Sequence, residues 1–218
     1  MTKSLKNIDV LEDLTLPPEQ QGRISKIQRL RVRHEYEDGS FSKSYNLDIV
    51  SHIGYDAVGV IPYWKEGDEW HVMLLKSFRP ALTFREIQPE PSPFLTEIIA
   101  GVLEQGEHNE VGVIHRAAEE VLEEAGLKVS ESDITLLGKC FYSSPGLYTE
   151  KLWLAAVEID PSTQVKPLLD GSVMEEMIEA FPIKLEAARD LCLSGDIVDA
   201  KTEIALERFA RLITNEAG

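Results

Sequence analysis

The chain has 218 residues, with 38 Asp and Glu against 22 Lys and Arg, for a formal net charge of −16 at pH 7. Such an excess repels phosphate backbones and anionic bilayers, which argues against nucleic-acid and membrane partners, although a small anionic substrate is admitted where a bound divalent cation reverses the local field. Cys140 and Cys192 are too few and too distant in sequence for a disulfide framework or a thiolate metal site; with no signal-peptide pattern and no apolar run near the ~20 residues that span a bilayer, a reduced, cytoplasmic setting is expected.

The first twenty residues are polar and carry Pro17 and Pro18, which predicts a loose arm. Leu30, Val32, His34 and Tyr36 then alternate, Asp38 and Gly39 make a turn, and Phe41, Lys43, Tyr45, Leu47 and Ile49 alternate on the return, as in a hairpin. A second hairpin is expected from 56–64 and 69–78 around the turn KEGD. Pro80, Pro89, Pro91 and Pro93 make the segment that follows a long surface loop. Beyond it the pattern predicts a strand over LTEIIAG (95–101), an acidic helix, strands within 133–143 and 150–159, a strand near 178–183, and two helices. Leu206, Phe209, Leu212 and Ile213 give the last helix an apolar face. Strands and helices so intermixed imply an α+β or layered α/β fold.

The acidic helix is bounded by Asn109, a good N-cap, and Gly126, a good C-terminal stop, about sixteen residues apart. Val111, Ile114, Ala118, Val121 and Ala125 follow helical spacing and are read as its inward stripe. At roughly 100° per residue, Glu120, Glu123 and Glu124 converge on another face, while Glu119 points aside. Like charges so close repel, and clustered carboxylate oxygens are the hard ligands that Mg²⁺ or Mn²⁺ prefers, so a metal would relieve the repulsion.

The stretch GVLEQGEHNEVGVIHRAAEEVLEEAGL (101–127) resembles the Nudix box, G-x5-E-x7-R-E-U-x-E-E-x-G-U, through Gly101, Glu107, Glu120, Val121, Glu123, Glu124, Gly126 and Leu127. It departs in two places: eleven residues rather than seven follow Glu107, and Glu119 stands where the family has Arg. Four extra residues are about one helical turn, so they can lengthen the helix without turning its carboxylates off their face. Arg116, four residues before Glu120, is expected to take over the orienting role of the missing arginine. Around the box, LLKSFRPAL, TEIIAGVLEQGE, FYSSPGLYTEK and GDIVDAKTEIAL are similar to segments of the ADP-ribose and nucleoside-diphosphate-sugar pyrophosphatase branch.

That resemblance implies an α/β/α Nudix sandwich over 56–218, preceded by an N-terminal antiparallel β extension, residues 1–55, through which two copies would form a homodimer. It also implies Mg²⁺-dependent hydrolysis of ADP-ribose or a related nucleoside-diphosphate sugar, with Mn²⁺ as a substitute metal. By the same resemblance Glu120 and Glu124 would be the main metal ligands, Glu123 would serve a second ion, and the Ala100 carbonyl would complete the inner site. Glu176 would be the general base on a late loop, with Glu175 and Glu179 as alternatives and Glu107 supporting. Arg79 would hold a phosphate in fork geometry, and Gly101, Pro145, Gly146 and Glu150 would meet the substrate. Because Glu119 replaces the box arginine, a catalytically silent Nudix-like module that senses a nucleotide sugar is the alternative.

Overall fold

The computed structural model describes residues 3–52, 54, 56–87, 92–167 and 178–216. The chain divides into two compact units, residues 1–55 with 142–150, and residues 56–141 with 151–218.

In the first unit β1 (Leu5–Asp13), β2 (Ser25–Tyr36) and β3 (Tyr45–His52) form an antiparallel sheet in that order. The expected hairpin is the β2–β3 pair. It turns through Gly39, at φ 77°, where Asp38 accepts from the Ser40 N–H at 2.8 Å. The loose arm expected at the start of the chain is instead β1, with Val10 opposite Val32 and Ile8 opposite His34. Its charges obscure the alternation in sequence, and its order comes from the ladder with β2. Segment 142–150 joins this unit through Val50, whose N–H donates to the Leu147 carbonyl at 2.8 Å.

The second unit starts with the hairpin of β4 (Ala57–Glu66) and β5 (Glu69–Phe78), which turns at Gly67 with φ 61°. It continues through β6 (Phe94–Glu97), β7 (Ile99–Val102), α1 (Glu110–Ala125), β8 (Ile134–Leu136), β9 (Phe141–Tyr142), β10 (Lys151–Glu158), β11 (Glu179–Lys184), α2 (Leu185–Ser194) and α3 (Ala200–Glu216). The sheet runs β11-β5-β4-β10-β8, with β6 beside β5, β7 beside β4 and β9 beside β10. It is mixed: β10 is parallel to β4, and β11, β5 and β8 pair antiparallel with their neighbours. Pro182, which has no N–H to give a ladder, sits in the edge strand β11.

Successive side chains along a strand face opposite sides, and here they feed two cores. Val58, Val60, Met73, Leu75, Ala155 and Val157 pack with Val113, Ala117 and Val121 of α1. Ile61, Val72, Leu74, Leu154 and Ala156 pack with Leu185 and Ala188 of α2 and Leu206 and Phe209 of α3. The unit is therefore an α/β/α sandwich. No helix among the described residues is long and apolar enough to cross a membrane.

Two strand expectations change. The single strand over 95–101 is two, β6 on β5 and β7 on β4. The break at Ile98 is fixed by its N–H, which donates to the buried Thr202 hydroxyl at 2.9 Å instead of to a ladder. Likewise, 133–143 splits into β8 and β9 around Gly138, whose φ of 85° no strand accepts.

Candidate functional site

Helix α1 is held at both ends by the residues that bound it in sequence. The Asn109 side chain accepts from the N–H groups of Val111 and Gly112, each at 3.1 Å. Gly126 takes φ 67° and donates its N–H to the Leu122 carbonyl at 3.0 Å. The buried face is rotated from the expected stripe. Val113, Ala117, Val121 and Ala125 are inaccessible, whereas Val111 is 73% exposed and Ile114 and Ala118 are half-buried. Both sets obey helical spacing, and packing selects the one that meets Val58 and Val60 of β4. At about 100° per residue this rotation carries Glu124 into the buried face, with Glu120 beside it and Glu123 toward the rim. Glu124 is accordingly only 9% exposed.

Strand β7 meets these carboxylates. The Ala100 N–H donates to Glu124 Oε2 at 3.1 Å. A Cβ at Gly101 would stand 1.7 Å from Glu120 Oε1 and 2.0 Å from its carboxyl carbon, so only glycine leaves room for that carboxylate where it lies. Glu120, Glu123, Glu124 and the Ala100 carbonyl offer oxygen donors of the kind a hard divalent ion takes, although among the described residues the acidic group with ligand atoms within 4.8 Å of one another is Glu107, His115 and Glu119.

Glu107 folds back onto the first turns of α1. Gly112 permits it, because a Cβ there would lie 2.3 Å from Glu107 Cα. Glu107 then takes a fork from Arg116, Nε to Oε2 and Nη2 to Oε1 at 3.2 Å each, and accepts from the Glu104 N–H at 2.7 Å. Burial pushes the Glu107 carboxyl up, but the Glu104 N–H and Arg116 outweigh it and hold it below the usual carboxylate range. Arg116 also reaches Glu119 at 3.1 Å and Glu104 at 3.3 Å. Glu119 is thus neutralised by an arginine three residues earlier. Arg116→Ala would leave Glu107 and Glu119 without this cation and is expected to cost about 2 kcal/mol, between exposed and buried pairs. Urea unfolding checks it, and an unchanged midpoint would contradict the expectation.

Glu107, His115 and Glu119 also bring potential ligand atoms within 4.8 Å of one another. Arg116, paired to both carboxylates, already supplies the positive charge there. His115 hydrogen-bonds Glu131 at 2.8 Å, and that bond, with the field of Glu119, raises its pKa against the opposing effect of burial.

Arg79 forks onto Glu97, Nε to Oε1 at 2.7 Å and Nη2 to Oε2 at 3.0 Å. The Glu97 side chain is 1% exposed and also accepts from Lys201, which pairs with Asp199 at 2.9 Å. Burial alone would raise the Glu97 pKa; the Arg79 fork and Lys201 outweigh it and lower it. The Glu97 fork in turn raises the Arg79 pKa against burial, and Glu124 and Asp199 add to the field. Sequence reasoning missed Glu97, Asp199 and Lys201 as the partners around Arg79, although each lies in a segment already singled out, TEIIAGVLEQGE or GDIVDAKTEIAL.

Pro145, Gly146 and Glu150 belong to the first unit, the first two in a turn where the Tyr148 N–H donates to the Ser144 carbonyl at 2.9 Å, and Glu150 just after it. Glu176 lies outside the described residues.

The chain is 30% identical over 200 residues to the ADP-ribose pyrophosphatase of Bacillus subtilis, covering 90% of this chain and 92% of that protein. It is 30% identical over 179 residues to the ADP-ribose pyrophosphatase of Escherichia coli K12, covering 81% and 77%. The same-named protein of Haemophilus influenzae is 29% identical over 206 residues, 94% and 86%. A solved structure of an ADP compounds hydrolase superposes with TM-score 0.67 at 19% identity, over 99% of this chain and 98% of its own. No family model matches.

Proposed function

Because the chain belongs to the Nudix hydrolase family, in its ADP-ribose pyrophosphatase branch, we propose that this enzyme hydrolyses the diphosphate of ADP-ribose to AMP and ribose 5-phosphate. Water adds to one phosphorus, the P–O bond to the bridging oxygen breaks, and that oxygen leaves with the other phosphate. The observation that carries the reading is the seating of Glu120 in the space left by Gly101, with Glu124 on the Ala100 N–H.

Glu120, Glu124 and the Ala100 carbonyl would hold Mg²⁺, and Glu123 a second ion. Bound there, the metal supplies Lewis-acid stabilisation of phosphate charge and lowers the pKa of bound water. The chain's own residues do the rest. Arg79 gives N–H donors to the diphosphate; Glu107 and Arg116 fix the start of α1; Glu176 would accept the water proton. Pro145, Gly146 and Glu150 are assigned to the terminal sugar. The same reading makes the molecule a homodimer through residues 1–55, where Leu5, Val10, Leu11 and Ile24 are exposed.

The test is nucleoside monophosphate release from ADP-ribose, UDP-glucose and GDP-mannose, compared by kcat/KM. ADP-ribose is expected to lead by at least about tenfold. A lead for UDP-glucose would reassign the substrate, and binding without turnover would leave a silent sensor.

A further inference from the structure

Arg79 and the carboxylate cluster of α1 are connected by side chains that neither the box nor its neighbours explain. Glu97 ends β6, Ile98 is the break, and β7 follows with Ala100 and Gly101. Glu97 takes the Arg79 fork on one side and Lys201 on the other. Lys201 pairs with Asp199, which accepts from the Thr202 N–H at 3.0 Å and its hydroxyl at 2.6 Å. The Thr202 hydroxyl in turn accepts from the Ile98 N–H at 2.9 Å. One closed set of contacts therefore fixes Arg79, the start of α3 and the strand break beside Ala100 and Gly101.

Stability alone does not require this arrangement, since a buried ion cluster is commonly no better for folding than apolar residues of the same size. Its value is directional. Glu97 engages the Nε edge of the guanidinium, so the planar group is locked in one orientation with its remaining N–H donors aimed away from Glu97. The Arg79 side chain is 45% exposed and that of Glu97 only 1%, so the buried end is the anchor and the open end is the working one.

We propose that Glu97 is a positioning residue, which aims Arg79 at the diphosphate and, through Lys201, Asp199 and Thr202, holds β7 against the carboxylates of α1. The proposal rests on the hydrolase reading above, in which Arg79 meets the substrate.

The test is the steady-state kinetics of ADP-ribose hydrolysis by the full-length protein and its Glu97→Gln, Arg79→Lys and doubly substituted forms. Glu97→Gln is expected to raise KM about tenfold, the loss of charged hydrogen bonds to Arg79, with kcat within about threefold of wild type. In the Arg79→Lys background the same change is expected to alter KM by less than about twofold, because residues acting through one another are not additive. An unchanged KM, or the same factor in both backgrounds, would overturn the proposal. Should Glu97→Gln not fold, Glu97→Asp keeps the charge one methylene short; a raised KM then supports the proposal and a wild-type KM overturns it. Absence of turnover by the wild-type protein on any nucleoside diphosphate sugar would instead reject the hydrolase reading itself.

Discussion

Glu120→Gln is expected to lower kcat by about a thousandfold, the effect of several kcal/mol of lost metal-borne stabilisation, with little change in fold. Gln keeps the size of Glu120 and its fit beside Gly101, while removing the charge that a divalent ion requires. Mg²⁺ titration of activity and thermal melting would be read together. A loss of activity with an unchanged melting midpoint assigns Glu120 to the chemistry, whereas near-wild-type turnover would remove it from the metal site.

Gly101→Ala is the second large expectation, and it comes from the opposite side of the same contact. The Gly101 backbone is not in the left-handed region, so alanine meets no backbone strain. Its Cβ, however, would lie 1.7 Å from Glu120 Oε1 and 2.6 Å from Glu120 Cγ. The carboxylate at the end of a flexible side chain must move, at a small cost in stability, and leaves the position from which, under the proposed function, it would serve a metal. Displacements of this size cost about a hundredfold in rate, so kcat/KM is expected to fall by about that factor. Full activity in Gly101→Ala would mean that Glu120 works from somewhere other than this cradle.

The parts of the fold that local chemistry decides were legible in the sequence. Asn109 and Gly126 set the limits of α1 because a cap and a left-handed stop act within a turn of the helix. The β4–β5 hairpin was legible through its turn around Gly67. What escaped depends on partners distant along the chain. Strand β1 exists because β2 lies beside it. The phase of α1 differs from the expected one because two apolar sets share the helical period and only the sheet chooses between them. Glu124, expected on a face apart from the apolar stripe, instead lies in the buried face, where its carboxylate accepts from the Ala100 N–H. The fork of Arg79 is expected on a phosphate, whereas in the structure it is on Glu97, 18 residues away beyond a proline-rich loop, and Lys201 lies 104 residues beyond Glu97.

The replacement of the box arginine by Glu119 has a local physical answer. Arg116, three residues earlier on α1, pairs with Glu119, Glu107 and Glu104. The helix begins at Glu110, and Gly112 leaves room for Glu107 against its first turn. Glu120, Glu123 and Glu124 keep their mutual spacing, because the extra residues precede all three.

The most direct measurement of the central claim is AMP release from ADP-ribose by the wild-type protein with Mg²⁺ and again after chelation with EDTA. Turnover with Mg²⁺ that disappears in EDTA and returns when the metal is restored is the expected result; turnover that persists in chelator, or none with either Mg²⁺ or Mn²⁺, would contradict it.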